Sequence, residues 1–443
     1  MQEGQILLIL FVALIVLMVF LTTKLKVHAF IAILLIGISL GLISGLNPSD
    51  VVRLAIEGAG NTLGYIALIV LFATIIGEIS EKTGSAITIS DSITHLVGNT
   101  RAPLAIALTG YLLAIPVMCN DTAFIILAPI AQALTFGGGF QQATFSIALA
   151  AGAYTSFKLV FPAAPLYPTT IFGADAGRVL ALGLIVSIPV FILGILWAYR
   201  YCDRFSSSKS YLFSYEELKR KYPKLPSAVS SYLPIFMPLA LILFKSLFDA
   251  FFAQGTLIRE VFDFLGNPVI ALLVGVLVAL IIAGRRTPRD TLSGWVSNGV
   301  KRSSSILAIV GAGGAFGKIL EATGLGLFIG NRILTAGAPS ILVPFLVAAA
   351  IKTAQGSSVV TMITAPSIIL PMLPALNISP VVATLAVSAG ALICVNVNDS
   401  FFWVVTGFSE MDTATGIKTL TALSIIQGIT ALVVVAVLGG YFA

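Results

Sequence analysis

The strongest constraint on the fold is a sequence pattern that occurs twice, about 240 residues apart. The matching pairs are IIGEISEKTG (75–84) and AFGKILEATG (315–324), TAFIILAP (122–129) and VVTMITAP (359–366), and LAAGAYTSFKLVFPAAP (149–165) and VSAGALICVNVNDSFF (387–402). The order of the pairs is kept and their offset drifts only from 240 to about 237, which chance similarity between apolar stretches does not explain. We therefore expect two structurally related halves.

The composition indicates the solvent in which these halves fold. Hydrophobic residues make up 58% of the chain and charged residues 10%, and the mean hydropathy is +1.04. A soluble domain carries about 25% charged residues, and porin-type barrels are less hydrophobic than this chain. In lipid, a helix satisfies its own backbone hydrogen bonds, and about 20 apolar residues cross the hydrocarbon core. The sequence therefore predicts an all-α polytopic membrane protein.

The ionisable residues exclude several other classes of protein. The formal net charge is +6, but Lys and Arg lie mostly between apolar runs, where they set topology, so no nucleic-acid partner is expected. Three cysteines and two histidines lie scattered, which predicts neither a disulfide framework nor a metal site. No cofactor is expected. The first apolar run lacks a basic flank and a cleavage site, so we expect it to stay in the lipid bilayer as a span.

The apolar segments fall into two sets of seven. They cover residues 5–22, 27–46, 60–79, 102–118, 122–136, 142–160 and 178–199, then 231–249, 266–284, 303–320, 338–351, 357–374, 380–397 and 417–441. The segments within 102–136 and 338–374 are short and are separated by CND (119–121) and TAQGSS (353–358). Irregular backbone at that depth is tolerated only where protein or water covers it. We therefore predict about ten full spans and two re-entrant hairpins.

Basic residues orient these segments in the membrane. The stretches 201–230 and 285–302 are rich in Lys and Arg, so both are predicted to be cytoplasmic. The repeated element at 60–79 then runs from outside to inside, and its copy at 303–320 runs from inside to outside. The halves are thus expected to be inverted repeats, an arrangement that permits states open to opposite sides of the membrane.

A domain organisation follows from this topology. We predict a first inverted repeat at 1–200, with scaffold spans at 5–46 and transport elements at 60–199. A cytoplasmic linker at 201–230, which includes a surface helix, follows it. The second inverted repeat is predicted at 231–443, with scaffold spans at 231–284 and transport elements at 303–443. The hairpins and broken helices would move together as an elevator-type transport domain. The scaffold would offer the contact face of a homodimer.

Polar residues interrupt the apolar runs at four places. The interruptions are Asn120 to Thr122, Lys158 before Pro162 and Pro165, Lys352 to Ser358, and Asn396 to Ser400. An ionisable residue at such depth is costly and usually functional, although Lys352 would also suit an anchor at the base of a hairpin. The predicted binding residues are Asn120, Asp121, Thr122, Lys158, Gln355, Gly356, Ser357, Ser358, Asn396, Asn398 and Asp399.

The chemistry of these interruptions indicates the ligand. Free N–H groups at the start of a helix segment favour an anion, and freed carbonyls favour a cation. Hydroxyl and amide side chains suit hydroxyl groups on a ligand. Together with two buried lysines, they favour a small organic anion that carries several hydroxyls. Asp121 and Asp399 are the candidate coupling groups, either as proton acceptors or as ligands for Na⁺.

Six segments resemble motifs of the gluconate permease (GntP) family. They are GNTLGYIALIV (60–70), NDTAFIILAP (120–129), FGADAG (172–177), GAGGAFGKILEATG (311–324), KTAQGSSVVTMITAP (352–366) and NVNDSFFW (396–403). SFKLVFPAAP departs from the His-containing, more Pro/Gly-rich run that is usual in the family. The resemblance implies a bacterial inner-membrane carrier for sugar acids, hydroxy acids or D-serine, usually coupled to protons. It also implies membership of an ion transporter superfamily with a scaffold, a moving transport domain and commonly a dimer.

The sequence thus favours a secondary active transporter that imports a small hydroxylated carboxylate, such as gluconate, by symport with H⁺ or Na⁺. The alternatives are a carrier of D-serine or a dicarboxylate, and a sodium/proton antiporter without an organic substrate. The two buried lysines argue against the antiporter. A membrane-embedded enzyme would need a nucleophile and base or a metal, and neither His28 nor His95 lies near an interruption.

Overall fold

The computed structural model describes most of the chain. The described residues are 9–10, 13–14, 16–18, 20–21, 25–98, 101–117, 120–135, 140–205, 225–251, 256–285, 287–324, 339–397 and 399–442. All regular secondary structure in these residues is helical, which confirms the predicted all-α class. The predicted linker at 201–230 and its surface helix fall largely on 206–224, outside the described residues.

The helices follow the same order in both halves. The first half contains Ala29–Ile43, Pro48–Lys82, Ser85–Val97, Ala102–Val117, Asn120–Thr135, Gln142–Leu159, Leu166–Phe172 and Ala176–Tyr201. The second contains Ala228–Phe251, Leu257–Leu265, Pro268–Gly284, Arg289–Ala322, Leu342–Gln355, Ser358–Ile369, Leu373–Leu376, Pro380–Leu392, Ser400–Phe408, Thr413–Gly416 and Ala422–Phe442. Short 3₁₀ turns lie at Cys202–Arg204 and Leu370–Met372, and a π turn lies at Ile417–Thr421.

Four kinds of element recur and are named here. Each half has a long helix (Pro48–Lys82; Arg289–Ala322), a helix pair (Ala102–Val117 with Asn120–Thr135; Leu342–Gln355 with Ser358–Ile369), a broken helix (Gln142–Leu159 with Leu166–Phe172; Pro380–Leu392 with Ser400–Phe408) and a closing helix (Ala176–Tyr201; Ala422–Phe442). In each half the two arms of the pair pack against each other, and both arms pack against the broken helix.

Matching glycines give the two halves the same internal packing. A Cβ atom at Gly152 in the first broken helix would lie 1.9 Å from the carbonyl oxygen of Ala107, and one at Gly390 in the second would lie 2.2 Å from that of Phe345. Only glycine fits such an approach, because any side chain would overlap the backbone of the first arm. The repeated AG dipeptide therefore has one structural role in both halves.

The two long helices approach each other as closely as each broken helix approaches the first arm of its helix pair. A Cβ atom at Gly58 would lie 2.3 Å from the carbonyl oxygen of Gly314, and one at Gly314 would lie 2.4 Å from that of Gly58. The glycine-rich stretch 311–314 thus serves helix packing within the membrane.

The number of membrane spans is only partly determined. Among the described residues, five helices are long and apolar enough to cross a membrane, or seven if two bent pairs count as one span each. One of the five, Ser358–Leu376, includes the second arm of the second pair, so its length also permits a full span. The arms of the first pair have 16 residues each, about 24 Å at 1.5 Å per residue, which is shorter than the hydrocarbon core. The ten-span count and the inverted orientation stay predictions.

Candidate functional site

Both broken helices end where polar residues and prolines were expected to interrupt them. The first ends at Leu159, and the chain turns before Leu166, with the Ala164 amide donating to the Phe157 carbonyl over 2.9 Å. The second ends at Leu392 and resumes at Ser400. Each break leaves carbonyls and amides without helical partners, because helical hydrogen bonds cannot continue across it.

Lys158 lies at the first break, in the last turn of Gln142–Leu159. Its side chain is completely buried, and its Nζ has no hydrogen-bond partner among the described residues. The ammonium lies 5.4 Å from the centroid of the Tyr154 ring and 5.6 Å from that of Phe157. Ring faces attract a cation but do not replace its hydrogen bonds. Lys158 is therefore a buried donor with unused capacity.

Lys352 joins the second helix pair to the second break. It lies in the last turn of Leu342–Gln355, is completely buried, and forms an ion pair with Asp399. Its ammonium also donates to the carbonyl oxygen of Gly356. Asp399 caps the helix Ser400–Phe408 by accepting from the Phe401 amide over 2.9 Å. The charge of Asp399 is therefore compensated by a cation and a helix N-terminus.

Asp121 connects the first helix pair to the second break as well. It lies in the first turn of Asn120–Thr135 and accepts a hydrogen bond of 2.5 Å from the Ser400 hydroxyl. Asp121 is half-buried and Ser400 is exposed. The Phe401 ring packs behind them, stacked on Tyr154 with centroids 5.5 Å apart. No described cation forms an ion pair with Asp121, so this carboxyl is less compensated than Asp399.

The four charged groups form one electrostatic cluster. Lys158 interacts with Lys352, Asp399 and Asp121 through its charge, and Asp121 interacts with Asp399 and Lys352. Each group comes from a different element, two from helix pairs and two from breaks. The cluster therefore joins the parts of both halves that the sequence marked as interrupted.

The remaining predicted residues differ in their positions. Gly356 adopts a left-handed conformation with φ of 78°, and Ser357 caps Ser358–Ile369 by accepting from the Val360 amide. The Ser358 hydroxyl and the Asn120 amide nitrogen are buried without a described hydrogen-bond partner. These two polar groups therefore have unused hydrogen-bonding capacity.

Four of the predicted residues have less structural support. Thr122 is half-buried. Asn396 is also half-buried, and its side-chain oxygen accepts from the Val397 amide over 2.8 Å, which is a local turn contact. Asn398 and the side chain of Gln355 lie outside the described residues.

The predicted binding residues omitted one member of the cluster, Lys352, and two residues that contact its members, Ser400 and Tyr154. Lys352 was assigned no binding role, although its place in a polar interruption was a usable signal. Ser400 directly follows Asp399 and could have been included on the same ground. Tyr154 lies within an apolar segment, and its position one helical turn before Lys158 was the only available signal.

Three of the four charged groups are almost completely buried, and exposed polar residues adjoin two of them in the chain. Lys158, Lys352 and Asp399 are at most 3% exposed, whereas Thr353 and Ser400 are exposed. Polar side chains at membrane depth are tolerated where they line a water-filled cavity. The arrangement is therefore that of a polar binding site within an apolar helical protein, as membrane transporters possess.

Comparison with known proteins places the chain within this class. The model of the GntP family permease matches residues 5–439, so the chain belongs to the GntP permease family. An uncharacterized permease of Haemophilus influenzae is 33% identical over 406 residues, 88% of this chain and 83% of the relative. The gluconate permease of Pseudomonas aeruginosa is 31% identical over 95% of each chain. The D-serine transporter DsdX of Escherichia coli K12 is 29% identical over 94% of this chain and 95% of the relative.

A solved structure shares the fold. The YdaH transporter of Alcanivorax borkumensis superposes with a TM-score of 0.67 over 93% of this chain and 97% of its own, at 16% identity. The family relatives are permeases and transporters, so the chain is an integral membrane transport protein and not an enzyme.

Proposed function

We propose that the protein is a secondary active transporter that imports a small hydroxylated carboxylate, such as a sugar acid, together with a proton. The observation that carries the proposal is the Lys158 ammonium, which is buried and has no described hydrogen-bond partner. A carboxylate is the natural partner for such a group, because a charge-assisted hydrogen bond is about twice as strong as a neutral one. The family membership supports the same substrate class.

Other polar groups of the two helix pairs suit the rest of such a substrate. Asn120 and Ser358 offer buried groups without described partners, and Asp121 can accept from a hydroxyl. These donors and acceptors match a chain of hydroxyl groups better than an apolar cargo.

The charges of the cluster support coupling to one cation. Two lysines and two aspartates sum to zero when all four are ionised. A bound monocarboxylate would leave one negative charge in an apolar environment, which is unfavourable by several kcal/mol. One proton restores neutrality, so the substrate and the proton each stabilise the same loaded state. Transport would then be electroneutral.

Asp121 is the preferred site for that proton. Asp399 already pairs with Lys352 and accepts from the Phe401 amide. Asp121 has a hydroxyl as its side-chain partner and is half-buried. Na⁺ bound between Asp121 and freed carbonyls is the alternative form of the same coupling.

The movement we propose is an elevator-type alternating access. The helix pairs and broken helices would move together, because the cluster joins them through Lys352–Asp399 and Ser400–Asp121 contacts. The segments 5–46 and 231–284 would remain as a scaffold and dimer face. The similar order of elements in both halves supports inverted repeats.

A D-serine carrier is the second candidate, favoured by the similarity to DsdX. Lys158 would bind the carboxylate and Asp121 the ammonium, so a zwitterion would leave the site neutral without a coupled cation. Gluconate and D-serine transport are therefore expected to differ in their dependence on the proton gradient.

Uptake into proteoliposomes tests these assignments. With an acidic exterior and no Na⁺, labelled gluconate should accumulate, and an imposed membrane potential should not change the accumulation. Asp121→Asn should abolish accumulation but retain gluconate exchange, whereas Asp50→Asn, at a partly exposed residue outside the cluster, should behave as wild type. Accumulation driven only by Na⁺ would refute proton coupling, and D-serine uptake without gluconate uptake would establish the second candidate.

A further inference from the structure

A cavity lies where the first long helix ends and the second long helix begins. It is enclosed by the end of the first long helix, the start of Ala228–Phe251, the end of Pro268–Gly284 and the start of the second long helix. Its volume is about 380 Å³. No residue of the charged cluster lines it, so it is separate from the proposed transport site.

The lining changes from apolar to polar along two of these helices. On the first long helix, Ile79 lines the cavity one turn before Lys82. On Pro268–Gly284, Ile282 lines it just before Arg285 at the helix end. Trp295 contributes an aromatic ring with a polar edge. The cavity thus offers apolar contact toward the middle of the helices and positive charge at their ends, which suits an amphiphile with a negative head group.

Arg285 keeps an uncompensated positive charge at this cavity. Arg302 contacts Glu78 at 2.9 Å and Glu81 at 2.8 Å. Lys82 lies farther from the same two carboxyls, at 3.9 Å and 3.7 Å, so the two acids balance these two cations and Lys82 has only longer contacts. Arg285 is exposed and forms no ion pair with any described residue. An anion between Lys82 and Arg285 would compensate Arg285 and give Lys82 a closer partner.

The predicted topology places this cavity at the cytoplasmic surface of the membrane. The Lys and Arg of 285–302 mark that side, and Trp is enriched at membrane interfaces. Anionic lipids concentrate in the cytoplasmic leaflet, and basic pockets between helices bind their head groups. We propose that this cavity binds an acidic phospholipid, with its phosphate between Lys82 and Arg285 and its acyl chain along Ile79 and Ile282.

The position of the lipid gives it a structural role. The four helix ends belong to the long helices and to the predicted scaffold spans. A bound lipid fills the space between them and neutralises Lys82 and Arg285, so it stabilises their association. The apolar part of the lining favours a lipid over free phosphate, which has no acyl chain to bury.

Lipid titration of the purified full-length protein in detergent tests the proposal. Phosphatidylglycerol should bind by native mass spectrometry and raise the thermal unfolding midpoint, while phosphatidylcholine and inorganic phosphate at the same concentrations should do neither. Arg285→Gln should weaken phosphatidylglycerol binding about fivefold, the effect of one basic residue near an anionic surface.

Arg289→Gln is the matched control, because Arg289 is an exposed arginine four residues from Arg285, at the start of the second long helix, and does not line the cavity. It should leave the affinity unchanged. Equal weakening by both variants would indicate a general charge effect and overturn the proposal. A stabilisation by inorganic phosphate as large as that by phosphatidylglycerol would also overturn it, because the acyl chain would then contribute nothing.

Discussion

Replacement of Lys158 by methionine should change ligand affinity and protein stability in opposite directions. Lys158 is completely buried and its ammonium lacks a described hydrogen-bond partner. Methionine has a similar length and volume but carries no charge, so Lys158→Met removes the cation while it keeps the space filled. A residue retained for packing would lose stability on this change, whereas a residue retained for binding would not.

The magnitudes follow from the burial of the side chain. Loss of the partner of a bound carboxylate costs about 2–5 kcal/mol of binding free energy, which is about 30-fold to 5,000-fold in Kd. Replacement of buried ionic groups by apolar groups of similar volume is neutral or stabilises a protein by about 1–4 kcal/mol. The ring contacts of Lys158 at 5.4 and 5.6 Å offset only part of the second effect, since a cation–π contact contributes about 2 kcal/mol when desolvated.

The assay combines isothermal titration with gluconate and thermal unfolding in the same detergent. Lys158→Met should lose measurable gluconate binding and unfold at the wild-type temperature or above. Lys318→Met is the control, because Lys318 is a partly exposed lysine that pairs with Glu321. Wild-type gluconate affinity in Lys158→Met, or a large loss of its stability, would refute a binding role for this ammonium.

Other predictions concern packing, ion pairing and topology. Gly152→Ala should destabilise the protein by about 1–3 kcal/mol because its Cβ would overlap the Ala107 carbonyl, whereas Gly294→Ala, with open space around it, should be neutral or slightly stabilising in thermal unfolding. Asp399→Asn should lower stability by about 3–5 kcal/mol, because it leaves the buried Lys352 without its ion-pair partner, and wild-type unfolding would contradict this. Cysteines introduced at 253–257 should react with an impermeant maleimide only from outside, and labelling from the cytoplasm would overturn the inverted topology.

The positions of the breaks could be predicted because their causes are local. Several prolines or polar residues close together within an apolar run disfavour a continuous helix, and SFKLVFPAAP and NVNDS marked both broken helices in this way. The repeated AG dipeptide could also be recognised in the sequence, because it recurs at the same place in both halves. The sequence did not indicate that its glycines approach the carbonyl oxygens of Ala107 and Phe345.

The ionic contacts could not be predicted because they depend on how deeply each element is placed. Lys352 and Asp399 are 47 residues apart and belong to different elements. Their pairing requires the end of Leu342–Gln355 to reach the depth of the second break, and a shift of one helical turn, about 5.4 Å, would separate them. Sequence alone identified both groups as costly in lipid but did not indicate which anion compensates which cation.

The charges of the two halves are arranged in opposite senses, and this explains where the substrate is expected to bind. In the first half the break carries Lys158 and the helix pair carries Asp121, whereas in the second half the break carries Asp399 and the helix pair carries Lys352. The pair of the second half is closed as an ion pair. Lys158 and Asp121 of the first half do not form an ion pair, because Asp121 accepts from Ser400 and the Lys158 ammonium has no described hydrogen-bond partner. A related fold with exchanged charges thus leaves Lys158 and Asp121 without an ion-pair partner among the described residues, and the substrate that we propose, a hydroxylated carboxylate that arrives with a proton, would satisfy both.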